Sequence, residues 1–382
     1  METVKGFRDY SGEESAKKQR IREVLSRSFS LYGFEPAETP IIEFEKFVKG
    51  DNPDDEAVSD TFKLKDRGSR KLALRYDFTF QLKRLAKNKK LPFKRYQLGE
   101  VFRDEPVSTN RFRQFTQCDV DIVGSGAKEE AEVLDLTFNI LKELGINANI
   151  YFSNRKLLNE ILDKEGVKKK EEVIREIDKL DKLSESEVKK NLKKYNAEKV
   201  LNIFKKDKKF FEKYDSYKEI KELQKYCKYY GVNIKFQPSL ARGLSYYNGS
   251  VFEIRTKEMK ESICGGGSYL VNNVQSTGIS FGLERLSKLA KFDSEEKSVL
   301  IVGLVENKEI FSMIQKLREN DINSSVMFGK PSKSLQYANS KGINYVLFVG
   351  EKELKSKKFK LKDMKSGKES NLSFDGIVKK LK

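Results

Sequence analysis

Histidine is absent from all 382 residues of the sequence, and cysteine is scarce, with three residues. Without histidine the chain has no imidazole to act as a general base, a metal ligand or a switch near neutral pH. Cys118, Cys227 and Cys264 are odd in number and widely spaced, which argues against a disulfide framework and against a cysteine-based zinc site. We expect them to be buried small side chains, and any chemistry must use groups that are already ionised.

Long apolar runs are also missing. No stretch approaches the roughly 18 apolar residues that a membrane span needs, and the start, METVKGFRDY, lacks the apolar segment of a secretory signal. We therefore expect a cytoplasmic protein with no membrane partner.

Charge, in contrast, is abundant: 35% of the residues are charged, and the net charge is +18. Such an excess speeds the encounter with a polyanion and favours a nucleic-acid partner. A lysine-rich solvated surface is the alternative explanation.

Tyr96–Gly124 has the pattern of two strands joined by a loop that begins near Pro106. Residues two apart share a strand face, so we expect Arg111 and Arg113 to project together, with Arg103 on the opposing strand. Arginine stays charged and matches phosphate geometry, which points to a polyphosphate ligand. The alternative is a salt-bridged hairpin in which Arg103, Asp104 and Glu105 neutralise one another.

The N-terminal part of the chain has the pattern of a mixed α+β fold. Apolar spacing predicts helices over Glu13–Tyr32 and Glu129–Leu144 and a strand over Asn147–Phe152. Between Val167 and Tyr230 glycine and proline vanish, and a pattern rich in lysine and glutamate indicates several short helices. We interpret this stretch as an inserted helical subdomain.

The C-terminal part predicts a small α/β domain with a mostly parallel sheet. The apolar run Val299–Val305 is typical of a strand buried on both faces. Further elements are predicted in the following order: a helix at Ile310–Glu319, a strand at Ser325–Phe328, a helix at Ser332–Ser340 and a strand at Tyr345–Val349.

Several strings, taken in order, resemble the motifs of the histidyl-tRNA synthetase family of class II aminoacyl-tRNA synthetases. Besides Tyr96–Gly124 they are GFRDY (Gly6–Tyr10), ETPIIE (Glu38–Glu43), LRYDFT (Leu74–Thr79), LARGLSYYNGSVFE (Leu240–Glu253), GISFGLERL (Gly278–Leu286) and LQYANSKGINYVLFVGEKEL (Leu335–Leu354). The resemblance covers most of the chain and is weaker between about Val167 and Lys235.

The resemblance implies an antiparallel sheet of the class II synthetase type flanked by helices. The implied domains are a catalytic core (1–160 and 236–290), a helical insertion (161–235) and an α/β anticodon-binding domain (296–382). Partners would be ATP with Mg2+, L-histidine and tRNA(His), and the motif around Pro40 implies a homodimer. The insertion either packs beside the core or contacts the acceptor arm of the tRNA.

The implied reaction joins the carboxylate of histidine to the α-phosphate of ATP and releases pyrophosphate. The histidyl group then passes to the 3' end of the tRNA. Fixed cations help because negative charge gathers where two anions meet. By resemblance, the catalytic residues are Arg103 and Arg242, both at the α-phosphate. Glu105 and Arg111 hold the nucleotide, and Arg285 grips the γ-phosphate. The alternative for Arg242 is a salt bridge at a strand end.

A neutral imidazole offers one donor and one acceptor, which a carboxylate and a hydroxyl can complement. Asp121 and Tyr247, with Tyr246 beside it, carry these groups. The resemblance further implies that the α-ammonium group contacts three polar side chains: Asp77, Thr79 and Gln117. Ordinary hydrogen bonding at strand ends is the alternative role for these residues. We expect no metal site made by the protein alone.

Three departures from the family pattern concern the pocket. Ser245 stands where many members have aspartate, and GGGSYL (Gly265–Leu270) stands where many have GGRYD. Asp77 and Asp121 are also shorter than the glutamates of some relatives. One wall of the pocket is therefore expected to differ.

The main rival function is a non-catalytic regulatory subunit of histidine biosynthesis that resembles the synthetase core. Such proteins commonly lack the anticodon-binding domain and the arginine of the RGLxYY motif, both of which this sequence has. A nucleic-acid-binding module with an inactive site would fit the charge but leave the clustered arginines unexplained.

Overall fold

The computed structural model describes residues 2–48, 60–241, 246–292 and 297–382. The chain forms two compact units, Met1–Lys291 and Phe292–Lys382. Among the described residues, none of the helices has the length and apolar character needed to cross a membrane.

The first unit contains two sheets. Its strands are β1 (Glu35–Pro36), β2 (Ile42–Phe44), β3 (Lys63–Lys65), β4 (Lys71–Leu74), β5 (Phe93–Phe102), β6 (Gln114–Val123), β7 (Asn149–Asn154), β8 (Ile234–Phe236), β9 (Tyr247–Arg255), β10 (Cys264–Val271) and β11 (Val274–Gly282). The large sheet has eight strands in the order β1-β5-β6-β11-β10-β9-β7-β8, and the small one has the order β2-β4-β3. Only the outer pairs of the large sheet, β1 with β5 and β7 with β8, are parallel. The predicted antiparallel sheet is confirmed.

The first unit also carries the helices that flank this sheet. They are α1 (Gly12–Leu31), α2 (Glu45–Val48), α3 (Thr79–Leu85), α4 (Ala127–Glu143), α5 (Arg155–Lys164), α6 (Lys170–Asp178), α7 (Glu185–Leu192), α8 (Val200–Ile203), α9 (Tyr217–Tyr229) and α10 (Leu283–Leu289), with 3-10 turns at Lys179–Asp181, Lys193–Tyr195 and Lys208–Lys213. The predicted long helices and the series of short helices after Val167 are confirmed. Helix α1 buries Ile21, Leu25 and Phe29, its apolar stripe, against the core.

A buried ion pair ties α1 to α10. Lys18 Nζ lies 2.8 Å from Glu284 Oε1, and the two side chains are only 5% and 9% exposed. The backbone N–H of Thr116, on β6, donates to both Glu284 oxygens at 3.2 and 3.1 Å. Lys18 Nζ also lies 3.4 Å from the centre of the Tyr10 ring. Glu284 therefore joins the N-terminal helix, the sheet and the GLERL motif.

The second unit is a five-stranded α/β domain. Its elements are β12 (Ser298–Gly303), α11 (Lys308–Glu319), β13 (Asn323–Phe328), α12 (Pro331–Ser340), β14 (Tyr345–Val349), α13 (Glu351–Ser356), β15 (Phe359–Asp363), β16 (Glu369–Leu372) and α14 (Phe374–Leu381). The sheet order is β13-β12-β14-β15-β16, and all five predicted elements are present.

The prediction of a mostly parallel sheet holds only for the first three strands of this unit. Strand β12 pairs in parallel with β13 and β14, whereas β14–β15 and β15–β16 are antiparallel. The carboxylate of Asp363 accepts the backbone N–H groups of Lys365 and Ser366 at 2.9 and 2.8 Å, and Gly367 N–H donates to the Asp363 carbonyl. This tight turn reverses the chain without a crossover helix.

Candidate active site

The β5–β6 hairpin forms one side of the site. The strands pair without interruption from Phe93↔Val123 to Phe102↔Gln114, which confirms the predicted hairpin. Arg111 and Arg113, however, precede β6 rather than lying on it. The expectation that they project together from one strand face is therefore wrong, and they reach two different carboxylates.

The loop of this hairpin is a network of ion pairs. Glu105 lies between Arg103 and Arg111, with N–O distances of 3.9 and 3.2 Å, while Arg113 pairs with Asp104 at 3.1 Å. The Arg111 side chain is 42% exposed and that of Arg103 26%. Pairs exposed to this degree contribute little to stability and can exchange partners. The salt-bridged arrangement is therefore compatible with a loop that receives an anion.

Arg103 is held in place by aromatic rings. Its guanidinium lies 4.2 Å from the centre of the Tyr76 ring and 5.1 Å from that of Phe115. Its Nη2 donates to Gln117 Oε1 at 3.3 Å. Stacking of a planar guanidinium restricts its rotamers and presents its donors in a fixed plane.

Arg285 enters the site from α10. Its Nη1 donates to the Ser262 carbonyl at 2.6 Å, beside Glu261, whose Oε2 accepts Asn110 Nδ2 at 3.0 Å. The pKa of Glu261 is lowered, first by its own backbone N–H and then by Asn110 and the charges of Arg285 and Arg111. Arg285 and Arg111, far apart in sequence, thus act on one carboxylate.

Strand β6 extends the site inward through alternate residues. Gln117, Asp119 and Asp121 are two apart, so their side chains share one face of the sheet, and all three are buried. Gln117 accepts from Arg103 and donates through Nε2 to Asp119 Oδ2 at 2.9 Å. A polar path therefore runs without a break from the arginine loop to the interior.

Arg95 lies opposite Asp121 on β5, and it is completely buried. Its Nη2 forms an ion pair with Asp121 Oδ2 at 2.8 Å and donates a hydrogen bond to the Phe78 carbonyl at 3.1 Å. On the other side, the hydroxyl of Tyr269 donates to Asp121 Oδ1. The sequence predicted Asp121 as a binding residue but missed Arg95 and Tyr269.

The pKa values of the two carboxylates on this path, Asp119 and Asp121, are raised, which favours their neutral forms. Burial, reinforced by Asp121, raises the pKa of Asp119 to about 7, while Arg95 opposes the rise. Burial also raises the pKa of Asp121, against the opposing charge of Arg95. Near neutral pH the two carboxylates therefore share less than two negative charges.

Asp77, Thr79, Tyr246 and Tyr247 form the adjoining wall. Asp77 Oδ1 accepts the backbone N–H of Thr79 at 3.0 Å where α3 begins, and burial raises the pKa of Asp77. The Tyr246 hydroxyl forms hydrogen bonds with Thr79 and Tyr247. The rings of Tyr246 and Tyr247 are 4.7 Å apart, and those of Tyr246 and Tyr269 are 5.5 Å apart. Aromatic edges and hydroxyls thus face the carboxylates.

The structure therefore brings most of the predicted residues together. Arg242 and Ser245 lie outside the described residues. Across the described ranges, no group of three or more cysteine, aspartate or glutamate side chains is placed to hold a metal ion. The three cysteines are buried, as predicted.

Comparison with known proteins agrees with this geometry. The family described as histidyl-tRNA synthetase matches residues 6–286, and the anticodon binding domain family matches residues 298–382. The chain is 34% identical to histidine--tRNA ligase 1 of Bacillus cereus, over 99% of this chain and 96% of that protein. It is 33% identical to the histidine--tRNA ligase of Christiangramia forsetii, over 99% and 98%.

Solved structures give the same picture. Histidyl-tRNA synthetase from Nostoc superimposes with a TM-score of 0.85 at 25% identity, over 100% of this chain and 98% of that one. The fold and the site together define an aminoacyl-tRNA synthetase. Within that class, the chain belongs to the histidyl-tRNA synthetase family.

Proposed function

We propose that this protein is a class II histidine-tRNA ligase. It activates histidine with ATP to histidyl-adenylate and then transfers the histidyl group to the 3' end of its tRNA. The observation that carries the proposal is the contact of Arg103 with Gln117, because it joins the arginine loop to the pocket of buried carboxylates and tyrosines.

The arginine loop is the proposed ATP site. Arg103 contacts the α-phosphate, Glu105 and Arg111 hold the nucleotide, and Arg285 binds the γ-phosphate end. The ion pairs at 3.2 and 3.9 Å would open so that phosphate oxygens replace Glu105 as partners. Mg2+ enters with ATP as part of the substrate, since this cation is usually held by substrate phosphates with few protein ligands.

The inner pocket is the proposed histidine site. Asp121 and Tyr247, with Tyr246, hold the imidazole ring, and three further side chains hold the α-ammonium group: Asp77, Thr79 and Gln117. The carboxylate of histidine is already ionised and attacks the α-phosphate without a general base. This explains how the reaction proceeds in a chain without histidine.

Arg242 is the second proposed catalytic residue. Its role rests on the family motif in Leu240–Glu253, where the arginine neutralises the α-phosphate and the carboxylate of the amino acid. A fixed cation between two anions stabilises the charge that develops as they join.

We also propose a domain organisation and a cellular location for the protein. Residues 1–160 and 236–290 form the catalytic core, 161–235 the helical insertion, and 296–382 the domain that reads the anticodon of tRNA(His). The insertion contacts the acceptor arm or packs beside the core. The protein works in the cytoplasm.

We further propose that the protein is a homodimer. Four apolar side chains on and beside the small sheet, near Pro40, are between 39% and 52% exposed: Ile41, Ile42, Phe44 and Leu64. Such a cluster of exposed large hydrophobics fits a protein interface. Sedimentation equilibrium should give about twice the chain mass of 44.2 kDa. A mass equal to a single chain at micromolar concentration would refute the dimer.

The decisive test of the activity is exchange of labelled pyrophosphate into ATP. We expect exchange that requires both histidine and magnesium, because adenylate formation is reversible and needs each substrate. Other amino acids should support it at rates lower by roughly 10⁴, since a site built on hydrogen bonds rejects ligands that leave its polar groups unpaired. Absence of histidine-dependent exchange in a folded sample would refute the proposal.

The same assay addresses the regulatory alternative. A structure described as an ATP phosphoribosyltransferase regulatory subunit/histidyl-tRNA synthetase from Bacillus halodurans superimposes with a TM-score of 0.75 at 22% identity, over 91% of this chain and 98% of that one. This likeness concerns the fold. A regulatory subunit would bind histidine without any exchange.

A further inference from the structure

One transverse row of the large sheet forms the floor of the proposed histidine pocket. Arg95 pairs with Asp121, Asp121 with Gly278, Gly278 with Gly267, and Gly267 with Val251. The two central positions carry no side chain. A Cβ at Gly278 would collide with the Asp121 carboxylate, and a Cβ at Gly267 would meet the Ser250 carbonyl and the Tyr247 ring. The Asp121 carboxylate and the Tyr247 ring can pack over this row only because both positions are glycine.

Tyr269 reaches across this row of the sheet. It lies two residues beyond Gly267 on β10, so it shares the face of Gly267, and its hydroxyl reaches Asp121 two strands away. The pairing of β10 with β9 shifts here: two steps on β10, from Gly267 to Tyr269, face four steps on β9, from Val251 to Tyr247. The irregularity places Tyr269 directly beside Tyr247. Tyr269 is the tyrosine that GGGSYL shares with the family string GGRYD, so its hydroxyl is kept although Ser268 and Leu270 replace the residues beside it.

We propose that Arg95 and Tyr269 are positioning residues for histidine recognition, which fix the Asp121 carboxylate from two sides so that it accepts the N–H of the imidazole ring. The proposal rests on the proposed function and extends it to residues that touch the carboxylate. A short aspartate side chain cannot adjust its reach, so its two oxygens need partners that set their direction. Arg95 holds Oδ2 at 2.8 Å and Tyr269 donates to Oδ1.

The groups around the two carboxylates explain why Asp121, and not Asp119, would accept the N–H of the imidazole ring. Asp119 shares the face, but its Oδ2 already accepts from Gln117, and burial raises its pKa to about 7. Burial raises the pKa of Asp121 too, but Asp121 is in ion-pair contact with Arg95, whose charge opposes that rise. An ionised carboxylate is the better acceptor for a ring N–H.

Tyr269→Phe tests the proposal with the smallest change. In the exchange assay we expect KM for histidine to rise roughly tenfold, the cost of losing one hydrogen bond to a charged group, while KM for ATP and kcat change less than about twofold. Arg95→Lys keeps the charge but loses the planar fork, and it should raise the same KM by about as much or more.

A double-mutant cycle separates positioning from general damage. If Tyr269 acts through Asp121, then adding Tyr269→Phe to Asp121→Asn should raise KM for histidine by less than about twofold beyond Asp121→Asn alone. Independent effects that multiply would overturn the proposal. So would an unchanged KM for histidine in both Tyr269→Phe and Arg95→Lys.

Matched controls lie outside the set of residues proposed to bind histidine. Tyr217→Phe removes a buried hydroxyl that makes no hydrogen bond within the described part of the chain, and Arg155→Lys alters a buried arginine paired with Glu171. Both should leave KM for histidine unchanged. A wild-type protein without exchange would refute the proposed function itself, whereas normal exchange with unaffected variants would refute only this inference.

Discussion

Arg103→Ala is expected to lower kcat for histidine-dependent pyrophosphate exchange by about 10²–10³. The guanidinium is stacked on Tyr76 and fixed by Gln117, so in its proposed role it would stabilise charge at the α-phosphate without reorganising during the reaction. Its removal takes away a cation that acts mainly in the transition state. KM for ATP should therefore rise less than kcat falls, which steady-state exchange rates at varied ATP would measure.

A matched arginine serves as the control for this result. Arg255 lies on β9 of the same sheet with a side chain 25% exposed, close to the 26% of Arg103, and it pairs with Asp181 at 3.0 Å. Arg255 also pairs with the buried Glu253. Arg255→Ala should change kcat less than about twofold, because neither carboxylate belongs to the proposed nucleotide or histidine site. Arg103→Lys should recover part of the rate. If Arg103→Ala kept kcat within threefold, the residue would have no catalytic role.

Lys18→Met is expected to reduce the free energy of unfolding by about 3–5 kcal/mol at neutral pH. The substitution leaves the Glu284 carboxylate buried without its cation, although the Thr116 N–H still contacts it. An uncompensated buried charge costs more than the pair itself contributes. Urea unfolding followed by far-ultraviolet circular dichroism would measure the change.

Two further variants make this result specific. Lys205→Met removes an exposed partner of Glu185, at 59% and 50% exposure, and should cost less than about 1 kcal/mol. Combining Lys18→Met with Glu284→Gln removes the isolated charge and should cost less than the sum of the single changes. A loss below 1 kcal/mol in Lys18→Met would show that Glu284 does not need this cation.

Local patterns were sufficient to predict most of the fold. Helix α1 and the β5–β6 hairpin follow from apolar spacing and turn residues that act within a short segment. The antiparallel end of the second sheet was missed because the predicted elements stop at Val349, before β15, β16 and the turn on the Asp363 side chain that joins them. Elements whose signals lie within one short segment were therefore predicted, and the arrangement of the last two strands was not.

The site residues that lie in recognisable motifs could be predicted from the sequence. The contacts that depend on the pairing of strands could not. A charged residue in a strand usually faces solvent, so Arg95 gave no signal, and only its pairing with Asp121 across β5 and β6 buries it. Tyr269 lies within GGGSYL, which the sequence analysis singled out, but its place beside Tyr247 depends on the register shift between β9 and β10, which no single segment encodes. The contacts of Arg95 and Tyr269 with Asp121 could therefore not be predicted from the sequence, because they form between strands that are far apart in the chain.

The pair of glycines in the sheet floor limits how this pocket can evolve. Because Gly267 and Gly278 leave no room for even a methyl group beside Asp121 and Tyr247, the base of the proposed histidine pocket cannot be reshaped by exchanging side chains at these two positions. Altered selectivity would have to arise in the aromatic wall of Tyr246 and Tyr247 instead. Libraries that aim to accept histidine analogues should accordingly vary the wall and leave the base intact.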